Sequence, residues 1–434
     1  MNYKRWFLLL LSLAACLINV GHSWRDAQRY GGTDLRARVV GARALMRGIN
    51  PYTLKNSGTL DVELQDPDQT ILNRCTYPPT LLLFYAPIAN LDYGLQRAIW
   101  MVLEWAALAL AVTFLSLTLR SRRVRFWFII GTVGLIGGSH FWRLHVERGQ
   151  YYVFVLLLLS LGMYFTLHRR SPVIAGIFFG LAACLRPPAV LLIVPLWWTR
   201  SRAASFTAAV TFGLTVLLST LWGGFEYWRD FIALSRSWEL AILGQSSGVI
   251  PELDLKAYVD GYRRPMLEGF TANLSMASFA RGLQLTEHGL NANLFAALTK
   301  ICWLVVLGLL CACCCRGHWF KTVSERYALL CGTAAMLLTD YFLPIRIEYA
   351  DVLFCLPLVL VAPMLLKKRH ISLTAGIVVA FLLSAFPVPE LLSPYSAIPT
   401  ALRSAVVMYV MLRFLVPRTP DKTGTGSRSS PGIL

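Results

Sequence analysis

The sequence predicts an all-α polytopic membrane protein, and three observations carry that prediction. The first is composition: of 434 residues, 56% are hydrophobic and only 15% charged, an apolar share above the soluble norm. The second is distribution. The apolar residues fall into about 12 runs of roughly 15–25 residues, the length that crosses ~30 Å of hydrocarbon. The third is the placing of charge. Short Lys/Arg clusters recur at alternate ends of the runs, as the positive-inside rule requires of cytoplasmic turns. The net charge of +18 is thus spread over turns rather than drawn into one basic stripe. That favours a lipid bilayer as the partner and speaks against nucleic acid.

Lys4 and Arg5 place the N-terminus in the cytoplasm and the first span at about 5–21. This run resembles a signal peptide, but Gly21-His22-Ser23 is a poor cleavage site and many spans follow, so it reads as retained. An outer loop, 22–94, contains an apolar piece at 77–91 whose prolines make it re-entrant or interfacial rather than spanning. The second span, 95–119, ends at Arg120, Arg122, Arg123 and Arg125; the third, 125–141, leaves 142–150 outside. The fourth, 151–167, ends inside at His168-Arg169-Arg170. The fifth and sixth, 172–185 and 187–199, form a hairpin turning at Arg186-Pro187-Pro188. The seventh, 203–222, opens a second outer loop, 223–290. The rest follow at 292–315, 325–343, 348–366, 371–386 and 397–415, with basic turns around Arg316 and at Lys367-Lys368-Arg369. Residues 1–416 form one membrane domain; 417–434, rich in Gly, Ser and Thr, form a disordered cytoplasmic tail. Of the ten cysteines, only Cys75 lies in a long loop, so no disulfide framework is evident there. Cys311, Cys313, Cys314 and Cys315 suit palmitoylation or packing, lacking a CxxC pair or nearby His array.

The residues capable of chemistry gather on the outer side. In Gly31-Gly32-Thr33-Asp34-Leu35-Arg36, Thr33 is placed to cap a helix on which Leu35, Val39, Ala42 and Met46 share a face; Gly48 and Pro51 stop it. The pattern predicts a helix lying on the membrane with Arg36, Arg43 and Arg47 on its polar side. Asp34 in its first turn either complements the helix dipole or serves as a general base, and spacing leaves both open. Tyr77-Pro78-Pro79 is a stiff turn or a wall for a lipid chain. Arg148, before Gly149-Gln150, anchors at head groups or binds phosphate. Arg186, between two apolar halves, is costly unless paired; it binds phosphate or snorkels to the surface. Asn273-Leu274-Ser275, with Phe279 and Arg281, fits an amphipathic helix. Arg346, Glu348, Tyr349 and Asp351 form an internal ion-pair cluster or bind sugar hydroxyls.

Taken together these motifs resemble glycosyltransferase family 87, the polyprenyl-phosphate-mannose-dependent mannosyltransferases of the GT-C superfamily. The resemblance covers roughly 5–366. It rests on Asp34 followed by Ala44-Leu45-Met46-Arg47-Gly48-Ile49-Asn50-Pro51-Tyr52, on Tyr77-Pro78-Pro79, on Gly149-Gln150 opening a Leu-rich span, on Gly176 through Leu181-Ala182-Ala183 to Arg186 and Pro188, and on Asn273-Leu274-Ser275 with Arg281. The family usually has Lys where Arg186 stands. Its late Pro-x-Ser-Trp-x-His element is here Pro344-Ile345-Arg346-Ile347-Glu348-Tyr349, without Trp or His, which points to a relative with its own substrate.

The resemblance implies a GT-C-type bundle whose two outer loops carry interfacial helices, in a bacterial inner membrane, with both termini cytoplasmic. It implies transfer of a sugar, mannose in the family, from a polyprenyl-phosphate donor to a glycolipid or glycan hydroxyl at the outer face. Asp34 is then the inverting base, and Arg186 followed by Arg148 the candidates for the leaving phosphate. Arg36, Tyr77, Gln150, Asn273, Arg346 and Glu348 are candidates for lining the substrates. No cofactor or metal is called for, since no DxD pair or Gly-rich phosphate loop is evident. The rival readings are a transporter or flippase of lipid-linked sugars, a scaffold, or another GT-C reaction such as arabinosyl transfer or lipid A modification. A transporter calls for a midplane polar pathway; here the ionisable residues stand mainly at outer span ends.

Overall fold

The computed structural model describes residues 3–29, 32–53, 75–168, 171–243, 275–276, 289, 291–315, 323–343, 346–366, 370–384 and 397–415. Among them the regular structure is helical, with no strand. In chain order the helices are α1 Tyr3–Arg29, α2 Thr33–Met46, α3 Pro79–Tyr85, α4 Tyr93–Leu117, α5 Arg122–Thr132, α6 His140–Arg148, α7 Tyr152–Leu167 and α8 Pro172–Leu185. There follow α9 Val190–Ile193, α10 Arg202–Gly223, α11 Phe225–Ile242, α12 Ala292–Cys315, α13 Glu325–Phe342, α14 Cys355–Leu365, α15 Ile371–Leu383 and α16 Ala397–Leu415.

The centre of the bundle is α7, which packs on α4 and α8; α8 in turn packs on α10. A helix that is apolar on every side has to be enclosed, and Val153, Leu156, Leu159 and Met163 of α7 are all buried. The α8–α10 contact depends on Gly176 and Gly180, one turn apart. A Cβ at 176 would come within 2.5 Å of the Ala204 carbonyl oxygen, and one at 180 within 2.7 Å of that of Ala208. Small residues at this spacing let two backbones approach where the solvent is lipid.

Among the described residues five helices are long and apolar enough to cross a membrane: Trp6–Gln28, Tyr93–Leu117, Arg202–Gly223, Ala292–Ala312 and Glu348–Leu365. Segments Arg122–Gly137 and His140–Arg148, bent by 63°, count as a sixth if taken as one broken span. Leu214, Leu217, Leu218 and Leu221 of α10, and Leu294, Leu298, Ile301 and Leu309 of α12, face outward, which suits hydrocarbon and not water. Other apolar helices, among them α7, α8 and α15, are shorter.

Several expected boundaries move. The first helix runs on to Arg29, where Asp26 pairs with Arg143 at 3.2 Å, so 22–29 belong to a helix and not to a loop. The expected third span ends early. After five residues of π-helix, Val133–Gly137, the chain bends into α6, and Asn19 of α1 donates to the Gly137 and Ser139 carbonyls at the break. Residues 142–148 are therefore helical and packed. The 77–91 piece forms α3 and a 3-10 turn, Ala86–Ile88, together ~15 Å long at 1.5 Å per residue, half a membrane thickness. An unanticipated helix, α11, opens the 223–290 region, and its Tyr227, Leu234 and Trp238 pack on Leu45, Tyr52 and Leu82.

The reading of α2 changes most. Gly32, in a left-handed conformation (φ 36°, ψ 57°), holds the N-cap position given above to Thr33. The helix does not lie open on a surface. Val39, Val40, Ala42, Ala44 and Leu45 are all buried, and so is Arg43, whose Nε donates to the Ala89 carbonyl at 2.5 Å. An apolar stripe accounts for one face of α2, but α3 and the turn after α6 cover others. Only tertiary packing decides that.

Candidate active site

The site is built where the start of α2 meets the turn from α6 to α7. Gly149 makes that turn possible. It ends α6 at φ +66°, and a Cβ there would stand 2.7 Å from the Cβ of Leu35. Both conditions exclude a side chain. Gly149→Ala is expected to cost at least ~1–2 kcal/mol for the left-handed backbone alone, with the Leu35 collision in addition. Thermal unfolding of the purified variant checks this; an unchanged Tm would mean that the turn is not held as described.

The last carbonyls of α6 lie past the regular helical pattern; the Gly149 and Gln150 N–H groups reach those of Val146 and His145, and arginines add to them. Arg97 Nη2 donates to Val146 at 2.7 Å and to Glu147 at 3.0 Å; Arg38 Nη1 donates to Gly149 at 2.8 Å. Behind the turn is a buried acid–base pair, Glu104 Oε1 to His145 Nδ1 at 3.0 Å. The His145 Nε2 accepts the Val153 N–H at 3.3 Å. With Nε2 accepting, a neutral His145 carries its proton at Nδ1, the nitrogen 3.0 Å from Glu104.

On this platform Asp34 is nearly enclosed, at 8% exposure. Gln150 Nε2 donates to its Oδ2, and Arg148 Nη1 stands 3.9 Å from the same oxygen. The Arg38 guanidinium reaches the Gln150 Oε1 at 2.6 Å and the Tyr77 hydroxyl at 2.8 Å. It lies 4.2 Å from the Tyr77 ring centroid and 4.9 Å from that of Tyr151, within cation–π range. Burial disfavours the Arg38 cation, yet Tyr77, Tyr85 and Asp34 around it more than restore it, so it is held firmly protonated. Cys75 lies nearby, and burial pushes its thiol up to about 12, too high to supply a thiolate nucleophile at neutral pH.

Asp34, Tyr77, Arg148 and Gln150, selected from the sequence, thus come together. Arg36, two residues on from Asp34 and so on another side of α2, holds its guanidinium 3.8 Å over the Tyr93 ring. Arg186 belongs to an adjoining layer. Tyr151 and Tyr152 stack at 4.7 Å, and Arg186 lies 4.5 Å over Tyr152. It does not snorkel: it is buried and paired with Asp340 at 2.5 Å. Tyr152 also meets Tyr349, at 5.6 Å, and beyond Tyr349 is a second ionic layer. Asp351 accepts from Arg346 and, at 2.6 and 2.8 Å, from Arg403 of α16. Glu348 accepts from Thr400 at 3.0 Å and faces Arg403 at 3.8 Å. Of the two readings given to Arg346 and Glu348, the geometry displays the ion-pair cluster. Asn273 lies outside the described residues, as do Phe279 and Arg281. Among the described residues no group of three His, Cys, Asp or Glu is placed to hold a metal ion.

Arg38, Glu104, His145, Asp340 and Arg403 enter the site only with the structure. A signal was available for most of them: each is ionisable and stands in or beside a predicted span, where a charge is expensive without a partner.

Fold and site together define a membrane-embedded helical protein with a buried carboxylate set among guanidinium groups and tyrosines. The profile of glycosyltransferase family 87 matches residues 76–340, more than half of the chain, and the chain belongs to that family. No curated protein matches it. The matched stretch is narrower than the 5–366 expected above. It contains Tyr77, Arg148, Gln150 and Arg186, ends on Asp340, and begins after Asp34.

Proposed function

We propose that this glycosyltransferase moves a mannose from a polyprenyl-phosphate donor to a glycolipid or glycan hydroxyl at the outer face of a bacterial inner membrane, with Asp34 as the general base. The observation that carries the reading is the setting of Asp34. It is a carboxylate enclosed at the bundle, fixed by Gln150 and 3.9 Å from a cation, Arg148. A base must be held where the acceptor hydroxyl arrives. A cation must stand near the phosphate that departs, because charge develops there in the transition state.

In the proposed reaction the Asp34 carboxylate takes the acceptor proton. The acceptor oxygen bonds to the anomeric carbon from the face opposite the phosphate, and the carbon–phosphate oxygen bond breaks, inverting the centre. Polyprenyl phosphate leaves with the electron pair. Arg148 is better suited to meet it than Arg186. The Arg148 side chain is 29% exposed against 5% for Arg186, and drawing Arg186 away would strand Asp340 as a buried lone charge. Arg36, half-buried against Tyr93, is a second cation proposed for the donor. The inner-membrane location and cytoplasmic termini rest on the basic turns and on the family.

The test is transfer by the purified full chain in nanodiscs, with radiolabelled polyprenyl-phosphate-mannose against GDP-mannose as donor and a total lipid extract as acceptor pool. Transfer from the lipid donor alone supports the reading; transfer from the nucleotide sugar alone overturns it. Arg148→Ala is expected to raise the donor KM by about tenfold, as loss of one charge-assisted phosphate contact would. An unchanged KM and kcat would remove Arg148 from the donor site.

A further inference from the structure

Asp34 and Arg38 stand four residues apart on α2, the spacing that puts two side chains on one helix face. Gln150, from the α6–α7 turn, is inserted between them. Its Oε1 accepts from Arg38 Nη2 at 2.6 Å, and its Nε2 donates to Asp34 Oδ2. The two partners fix the amide's orientation by chemistry alone. Arg has only donors, so the amide oxygen must face it; an ionised carboxylate only accepts, so the NH2 must face Asp34. Every polar atom of the Gln150 side chain is thereby engaged, and the residue is fully buried.

The turn that presents Gln150 is itself held. Its N–H donates to the His145 carbonyl at 3.0 Å, and its carbonyl accepts from Trp100 Nε1 at 3.3 Å. Arg38 takes the neighbouring Gly149 carbonyl at 2.8 Å. Both contacts to Asp34, from Gln150 and from Arg148, fall on Oδ2. Among the described residues Oδ1 makes no hydrogen bond or ion pair.

We infer that Arg38 and Gln150 are positioning residues that lock the Asp34 carboxylate through one oxygen and turn the other toward the acceptor hydroxyl, so that Gln150 serves the base and not the sugar. This rests on the reading of Asp34 as the base. It changes the role assigned to Gln150, from substrate contact to orienting amide, and brings in Arg38, which the sequence reading did not select. The physical reason for such an arrangement is that a base displaced by ~1 Å can lose ~10²-fold in rate without losing its substrate.

The experiment separates kcat from donor KM for Gln150→Leu, Arg38→Met, Arg38→Lys, the double variant Arg38→Met/Gln150→Leu, and Asp34→Asn. It uses radiolabelled polyprenyl-phosphate-mannose and a total lipid extract, with Tm measured on each preparation. The expected result is that Gln150→Leu and Arg38→Met lower kcat by ~10–10²-fold, with donor KM within about twofold of wild type. The double variant should be no slower than the worse single one, because both act on one linkage. Arg38→Lys, which keeps a donor toward the amide oxygen, should recover part of the rate. A raised donor KM with intact kcat in Gln150→Leu would return Gln150 to sugar binding and overturn the inference. So would an additive double variant, or a rate loss that tracks Tm and is not relieved by Lys. An inactive Asp34→Asn beside fully active Arg38 and Gln150 variants would sink the positioning role alone. A fully active Asp34→Asn would take the base down with it.

Discussion

Asp34→Asn is expected to fold and insert as wild type does and to lose sugar transfer by at least ~10²-fold, the scale of losing a general base. The substitution is close to isosteric. An amide oxygen at the place of Oδ2 still accepts the Gln150 Nε2 proton, so the bond that ties α2 to the α6–α7 turn survives. What disappears is the ability to take the acceptor proton. Since Asp34 is only 8% exposed and first in a chain of contacts leading to Arg38 and Tyr77, a larger change such as Asp34→Ala would confound chemistry with packing. Asn does not. The measurement is turnover with the lipid-linked donor at saturating concentration, on preparations matched for Tm and elution profile. Equal rates for the two proteins would eliminate the carboxylate from the mechanism.

The largest expected effect on stability is at Asp351. This carboxylate is fully buried and accepts from two buried guanidinium groups, Arg346 and Arg403. A buried ion pair contributes little net stability compared with apolar packing. Removing one partner, by contrast, leaves an uncompensated charge and typically costs ~3–5 kcal/mol. Asp351→Leu takes from Arg346 and Arg403 the carboxylate they share and leaves Arg403 only the longer contact to Glu348 at 3.8 Å, so the expected outcome is a loss within that range, seen as a lower Tm and poor recovery of monodisperse protein. Leu at all three positions, Asp351, Arg346 and Arg403, should recover much of the loss, because the three fully buried charges go together and Glu348, which loses Arg403, keeps its hydrogen bond from Thr400. If Asp351→Leu alone kept the wild-type Tm, the cluster would have to be solvated rather than buried. The cluster ties α16 to the turn before α14, and Tyr349 carries that turn to Tyr152 at the start of α7. Its stability and the geometry of the site are therefore linked through packing.

The fold class was legible because it follows from local quantities. Apolar run length, charge at run ends and proline placement read directly from the chain, and α7, α8, α10 and α12 begin and end within a residue or two of their predicted limits. The errors lie where a neighbour intervenes. The bend between α5 and α6 depends on Asn19, more than a hundred residues away in sequence. The enclosure of α2 depends on α3 and on Gly149, and the helix at 225–242 on an apolar face matched to Leu45, Tyr52 and Leu82.

The same division runs through the site. By itself the sequence determined that the protein is helical and membrane-embedded, and it singled out Asp34, Tyr77, Arg148, Gln150 and Arg186, because residue type, run ends and motif order are one-dimensional properties. Only the tertiary structure decided which of them meet and what each has left to offer. Arg186 is bound to Asp340, Gln150 is turned by Arg38 toward Asp34, and Arg346 shares Asp351 with Arg403. The reason is physical. A charge or amide in a low-dielectric interior takes its role from its nearest partner, and here those partners come from distant parts of the chain: Asp340 is 154 residues beyond Arg186, and Gln150 is 112 beyond Arg38.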